Sequence, residues 1–176
     1  MNIVRLGHKM DSLYIGIDNG VTGSIAALSS SGRVAAYFET PVILHANYTK
    51  TKAHIHRVDV PTLLEKLGLL LGHEWDRILC SIERPMVNPG RFKATVSALR
   101  CLEATLIVIE KLAIPYQYLD SKEWQKIMLP KGLEKEELKF ASDEVCKRLF
   151  PEIHLSKSGK GDSLLIAEYM RRKNNG

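Results

Sequence analysis

Apolar positions near the start of the chain fall into three short blocks separated by turn residues. Leu13–Ile17 and Ile25–Leu28 read as strands joined by a glycine-rich turn, and Val34–Phe38 reads as a third strand after Ser31-Gly32. Two tight hairpins of this kind form an antiparallel meander. The period then changes. Val60–Leu71 reads as a helix with Pro61 in its first turn, where a missing N–H is harmless. Ile78–Ile82 is a short apolar strand that runs into Glu83. Arg91–Leu112 is a long helical stretch, although TLIVI within it has strand-like composition, and Pro115–Leu119 is a fifth strand. Asp120-Ser-Lys-Glu123 has the form of a capping box opening a short helix around Trp124. Leu133–Leu149 is amphipathic, with Leu138, Ala141, Val145 and Leu149 on one face. A last helix begins near Asp162 and carries Leu165, Ile166, Tyr169 and Met170. Three strands, then alternating helices and strands, then helices predict an α/β layered protein with a mixed sheet.

Length and composition narrow this picture. A chain of 176 residues is most economically one domain with a substantial core. We place that domain at 13–173, after a flexible N-terminal extension (1–12) and before a tail (174–176). No run approaches the ~20 apolar residues of a bilayer span, and MNIVRLGHKM lacks the apolar segment of a secretory signal. Three cysteines, an odd number without metal-ligand spacing, read as buried free thiols in a reducing, intracellular setting. That setting is a bacterial or phage-infected cytoplasm or, less directly, an organelle or nucleoid. The net charge of +5 suits an anionic partner. Its distribution says more than its size. From Thr40 to Val58 there is no acidic residue, while Lys50, Lys52, Arg57, His45, His54, His56 and Tyr48 all fall there. This is either a solvated loop or a flexible basic arm with an aromatic ring for stacking on nucleic acid.

Three acidic residues sit awkwardly. Asp18 is the only charge in the apolar run LYIGIDNGVTGSIAALSS, Glu83 ends the strand RILCSIERP, and Asp162 opens the last helix in SKSGKGDSLLIAEY. Each has a plain structural reading: a turn residue beside Asn19-Gly20, a partner for Arg84 or the cap of a strand end, and a helix N-cap. If the first and fourth strands are adjacent and parallel, however, Asp18 and Glu83 meet at one edge, and a helix crossing that edge brings Asp162 there. Three clustered carboxylates do not all ionise without cations. Hard divalent ions resolve the conflict, because Mg²⁺ takes a few carboxylate oxygens and completes its shell with water and phosphate.

IGIDNGVTGSIAAL, the SIERP strand end and GKGDSLLIAEYMRR resemble the three signature blocks of RuvC-type Holliday junction resolvases, within the RNase H-like (retroviral integrase) superfamily. LDSKEWQKIM and LFPEIHLSKSGKGDSLLIAEY are similar to phage and organellar members in particular. The resemblance runs from about Leu13 to Arg172 and rests on block order and spacing. It implies an RNase H-like fold with three antiparallel N-terminal strands plus two parallel ones, flanked by helices. It also implies a homodimer that cuts four-way DNA junctions symmetrically with two Mg²⁺ (or Mn²⁺) ions per site, held by Asp18, Glu83 and Asp162. Two departures stand out. Many relatives carry a fourth ligand just before the last Asp, where this chain has Lys157-Ser-Gly-Lys160, so that Ser158 or a water takes that place or metal binding is weaker. The first block usually has Pro where Asn19 stands, which we read as a change of turn geometry. The resemblance gives neighbouring residues a use as well. Arg84, Asn88, Arg91, Lys93, Lys122, Lys126 and Lys160 become phosphate-contact candidates beside Lys50, Lys52 and Arg57. Phe92 either stacks at the junction centre or is a core aromatic. Ala104–Ile109, apolar nearly all round, is covered either within the domain or by a twofold mate.

GIDNGVTGS also resembles the first phosphate loop of actin-like and sugar-kinase ATPases. Those enzymes need two such lobes, a second phosphate loop and an adenosine site, and 176 residues have room for one lobe. We therefore expect no nucleotide cofactor and no membrane association. Two further readings share the fold: an RNase H-like nuclease acting on other branched DNA or on RNA–DNA hybrids, and a non-catalytic nucleic-acid-binding module. The intact Asp18, Glu83 and Asp162 argue against the second.

Overall fold

The computed structural model describes residues 11–47, 50, 52–73, 75–156 and 160–175. The expectations for the N-terminal extension up to residue 10, for Tyr48 and for Ser158 therefore fall outside the described residues.

The meander forms as its turns predict. Strands β1 (Ser12–Asp18), β2 (Ser24–Ser29) and β3 (Val34–Glu39) pair antiparallel in sequence. Two further strands make a separate ribbon, β4 (Val42–Ala46) with β5 (His54–Val58). Helix α1 (Val60–Leu71) follows, capped by Asp59, whose side chain accepts from the Thr62 amide at 3.2 Å. Strand β6 (Arg77–Glu83) then enters the main sheet parallel to β1, and a 3₁₀ turn (Pro89–Arg91) leads into the long helix α2 (Phe92–Lys111). Strand β7 (Tyr116–Leu119) pairs parallel to β6. Helices α3 (Ser121–Met128), α4 (Lys135–Leu149) and α5 (Asp162–Asn175) close the chain. The main sheet has the order β3-β2-β1-β6-β7. The capping box at Asp120/Glu123 forms as expected. Helix α5 continues through Asn174 and Asn175, and Asn175 Oδ1 accepts from the Tyr14 hydroxyl at 2.8 Å.

The sheet separates two apolar layers. Leu13, Ile15, Ile17, Cys80 and Ile82 pack with α1 and α2, while Tyr14, Ala26 and Leu28 pack with α3, α4 and α5. This is the period-two alternation of a sheet buried on both faces. Helix α5 is the centre of the second layer, with every residue from Ser163 to Met170 buried. Its Leu164, Leu165 and Ile166 each contribute about 1.5–3 kcal/mol over an exposed position. The helix can lie this close because β1 has no side chain at Gly16, where a Cβ would collide with the Ser163 carbonyl and the Ala167 amide. All three cysteines are buried and unpaired. No helix of the described residues is long and apolar enough to cross a membrane.

One sequence expectation is corrected here. The acid-free stretch 40–58 is neither loop nor unstructured arm where it is described, but the β4–β5 ribbon. All five residues of β4 are exposed and only Val58 of β5 is buried, so β4 has no buried face to impose a period-two pattern.

Candidate active site

Asp18 is the last residue of β1 and Glu83 the last of β6. The two strands are parallel neighbours in the register Ile17↔Ile82, so the next step along each sets Asp18 beside Glu83. Ile17 and Ile82 point into the α1/α2 layer. Alternation therefore turns Asp18 and Glu83 to the opposite face, the face covered by α5. Asp162 is the first residue of that helix, not the residue that caps it. Three segments remote in sequence thus deliver one carboxylate each to the same end of the sheet.

The approach to Asp162 is tightly specified. A Cβ at Gly161 would run into the Cys146 sulfur on α4. Ser24 Oγ on β2 donates to the Lys160 carbonyl at 2.8 Å and lies 2.7 Å from Ser163 Oγ, and the Tyr37 hydroxyl donates to the same carbonyl at 3.0 Å. Two of the carboxylates are themselves held. Trp124 Nε1 donates to Glu83 Oε1 at 3.1 Å, and Ser142 Oγ donates to Asp162 Oδ1. Both donors are neutral, so they orient charge without cancelling it.

The electrostatics follow. Burial, and then the charges of Asp162 and Glu83, push the Asp18 carboxyl up to about 8, against an opposing pull from Lys160. Glu83 is pushed up to about 7, chiefly by burial, with Asp162 adding to it and the Trp124 hydrogen bond opposing it. Asp162 is raised by burial and by Asp143, with Ser142 and Lys139 opposing. Lys160 pulls Asp18 the other way, but its ammonium is committed, 2.7 Å from Glu39 Oε2 and 2.7 Å from the Thr22 carbonyl.

Glu83 and Asp162 line a cleft of about 430 Å³ together with Asn19, Arg84, Asn88, Arg91, Thr95, Ala98 and Gln125. Among the described residues no three His, Cys, Asp or Glu side chains close into a metal cage. The donors nonetheless fit Mg²⁺ or Mn²⁺ in kind. They are hard oxygens, none of the three carboxylates is in an ion pair among the described residues, and a Mg²⁺ site of this type needs only one or two carboxylates beside water and substrate phosphate.

The remaining candidates separate into groups. Arg84 does not serve Glu83: its Nε lies 3.2 Å from Asp120 Oδ1, and its guanidinium sits 5.1 Å from the Tyr118 ring centre. Asn88 turns the chain ahead of α2, accepting from the Gly90 amide at 2.9 Å. Phe92 is 72% exposed at the start of α2 and is no core residue. It lines a second groove, between α2 and the β4–β5 ribbon, with Lys93, Arg100, His54 and His56. Arg57, Lys50 and Lys52 are exposed on or beside the ribbon. Lys122 and Lys126 are exposed along α3. Lys160, grouped with surface cations on sequence, is instead buried against Glu39. In the long helix, Cys101, Thr105, Val108 and Ile109 are buried, while Ile107 is exposed.

Sequence reasoning missed Trp124 and Ser142 as partners of the carboxylates. Both left a signal. Trp124 is a large ring in an otherwise polar short helix, and a buried indole looks for an acceptor. Ser142 is a hydroxyl within the apolar stripe of α4.

The order β3-β2-β1-β6-β7, with the first three strands antiparallel, the last two parallel and helices on both faces, defines the RNase H-like class of α/β fold. Within it the chain resembles T. thermophilus RuvC in complex with a Holliday junction substrate. The TM-score is 0.55 at 13% identity, over 95% of this chain and 96% of that one. A second structure of Thermus thermophilus RuvC aligns with a TM-score of 0.47 at 16% identity, over 95% and 97% of the two chains. At these identities the likeness is one of fold. No protein-family model matches the chain, and no curated protein matches it.

Proposed function

We propose that the chain is a divalent-metal-dependent endodeoxyribonuclease that resolves four-way DNA junctions by paired symmetric nicks. One observation carries this reading: Asp18, Glu83 and Asp162, from β1, β6 and α5, meet at one end of the sheet, where the charges of Asp162 and Glu83 both act on Asp18, and among the described residues none of the three is in an ion pair. The fold is that of a protein seen with a Holliday junction substrate. A divalent ion bound there would activate water and take up charge on the leaving 3′-oxygen. The chain's own residues do the rest. Trp124 and Ser142 hold two carboxylates in place. Arg91, at the entrance to α2, lines the cleft where a scissile phosphate would lie. The exposed Phe92 ring offers a stacking surface, and Lys50, Lys52, Arg57, Lys93, Lys122 and Lys126 are exposed cations for the DNA arms. The products are a 5′-phosphate and a 3′-hydroxyl. A homodimer places two such sites on the twofold axis of a junction, and the phage and organellar resolvases are the relatives we expect.

The test is cleavage of a synthetic four-way junction, a duplex, a flap and an RNA–DNA hybrid, each with Mg²⁺, Mn²⁺ or EDTA. Paired nicks in the junction, lost in EDTA, are expected. Equal cutting of all four substrates, or full activity without divalent metal, overturns the proposal. The dimer is tested separately by light scattering, where twice the 19.8 kDa chain mass is expected without DNA; a monomer with or without junction DNA would overturn it.

A further inference from the structure

Asn19 sits directly after Asp18 in the turn between β1 and β2 and lines the same cleft as Glu83 and Asp162. Its amide is split between two situations. Nδ2 donates to the carbonyl of Ala98 on α2 at 3.2 Å. Oδ1 is buried and has no hydrogen-bond partner, alone among the buried side-chain polar atoms of the described residues. The orientation is determined by that one bond, because exchanging the two ends of the amide would set Oδ1 against the Ala98 carbonyl. A buried acceptor left without a donor is a net cost to the fold, because its hydration is lost and nothing replaces it. Among the described residues this happens at one place only, beside three acidic groups that are in no ion pair there.

We infer that Asn19 Oδ1 is a fourth oxygen donor, uncharged, to the divalent ion that Asp18, Glu83 and Asp162 would hold, directly or by way of one of that ion's waters. The inference rests on the metal-dependent reading proposed above. Its chemistry is that of the site. An amide oxygen is a hard donor of the kind such ions accept, and it adds no charge to a group of acids that already repel one another. The Ala98 bond fixes the amide to α2, so the oxygen is held in place before any ion arrives.

The test is Mn²⁺ binding to the full chain, followed by the loss of the free-ion electron paramagnetic resonance signal at one pH, without DNA and without turnover. Three variants are compared with the unmodified protein: Asn19→Ala, Asn19→Asp and Asp18→Asn. Both changes at position 19 remove the Nδ2 bond to Ala98, but only Asn19→Asp keeps an oxygen at the end of the side chain. Asn19→Ala is expected to weaken binding about tenfold or more, and Asn19→Asp to bind at least as tightly as the unmodified protein. Equal affinity in all three, or an equal loss in both position-19 variants, overturns the inference and leaves Asn19 as an anchor of the turn. Asp18→Asn separates the two levels. If it abolishes binding while Asn19→Ala binds as tightly as the unmodified protein, only the role of Asn19 fails. If the unmodified protein binds no Mn²⁺ at all, the metal-dependent reading fails with it.

Discussion

Helix α5 carries two acidic residues six positions apart that are treated in opposite ways. Glu168, in its middle, is buried and fully matched: Oε2 lies 2.7 Å from Arg171 Nε, and Oε1 lies 2.7 Å from Arg172 Nε and accepts from Arg171 Nη2 at 2.9 Å. Burial works to raise this carboxyl, but the hydrogen bonds from Arg171 and Arg172 outweigh it, and the group ends below the ordinary range. Asp162, at the start of the same helix, has a serine for a partner and is raised. Asp18 and Glu83 across from it are raised as well. Burial is common to both settings. What differs is the counter-charge, and the protein has arginines to spend where a carboxylate serves only the fold. Three buried acids with no ion pair among the described residues are costly, and the arrangement is intelligible if a cation comes from solvent.

The comparison is broken most directly by neutralising the unmatched end. Asp18→Asn should fold, since it removes an acid whose charged form is disfavoured, and should lower the rate of junction nicking by about 10³-fold. This corresponds to the several kcal/mol of transition-state stabilisation that a bound metal supplies. Single-turnover kinetics checks it, and an undiminished rate would mean that Asp18 is one more structural acid.

The two settings should also give pH dependences of opposite sign. Asp18 moves from 3.8 to about 8 on folding, so between those values the folded state holds a proton that the unfolded chain has released. Asp18 alone therefore lowers stability in EDTA as pH rises through this window, at up to about 1.4 kcal/mol per pH unit, and the raised Glu83 adds to the fall. Mg²⁺ should remove the decline, and Asp18→Asn should make it shallower. Glu168, with its carboxyl lowered, stabilises above its unfolded pKa, and that contribution is lost in acid. Denaturant midpoints measured from about pH 2 to pH 8, with and without Mg²⁺, read both effects. A flat EDTA profile would remove the contrast.

Breaking the matched end should affect stability and leave chemistry alone. Glu168→Gln leaves two guanidinium groups around a buried amide. A fully buried pair broken in this way loses 3–5 kcal/mol. Because the Arg172 side chain is 46% exposed and can rehydrate, we expect about 2–3 kcal/mol. Urea unfolding measures the loss, and nicking per folded molecule should not change.

These contrasts were only partly legible in the sequence. The apolar runs Leu13–Ile17 and Ile78–Ile82 located both strand ends, because a sheet buried on both faces writes its strands plainly. The meeting of Asp18 with Glu83 was expected if the first and fourth strands were parallel neighbours, as they are. Lys160 was misjudged: a lysine among Ser, Gly and Lys looks solvated, and nothing local shows that Glu39, 121 positions away, will bury it. The β4–β5 ribbon was hidden for the opposite reason, since exposed strands carry no patterned face. The asparagine after Asp18 read as a turn residue, because an unsatisfied acceptor exists only once the chain is folded around it.

The smallest effect we expect sharpens the comparison from the side of its neutral partners. Trp124→Phe keeps a ring in the fully buried pocket but deletes the N–H that Glu83 Oε1 accepts. As a fold contact that hydrogen bond is worth about 1–2 kcal/mol, and Glu83 can recover part of it from water in the cleft. If the bond only supports the fold, the variant loses that much stability equally in EDTA and in Mg²⁺. If it holds Glu83 in place for an ion, the loss grows in Mg²⁺, because ion affinity drops about tenfold and with it roughly 1.4 kcal/mol of ligand-linked stability. Thermal unfolding of both proteins, in EDTA and in saturating Mg²⁺, gives four numbers whose double difference separates the two roles. A double difference of zero would place Trp124 with Arg171 and Arg172, among the groups that serve the fold and not the site.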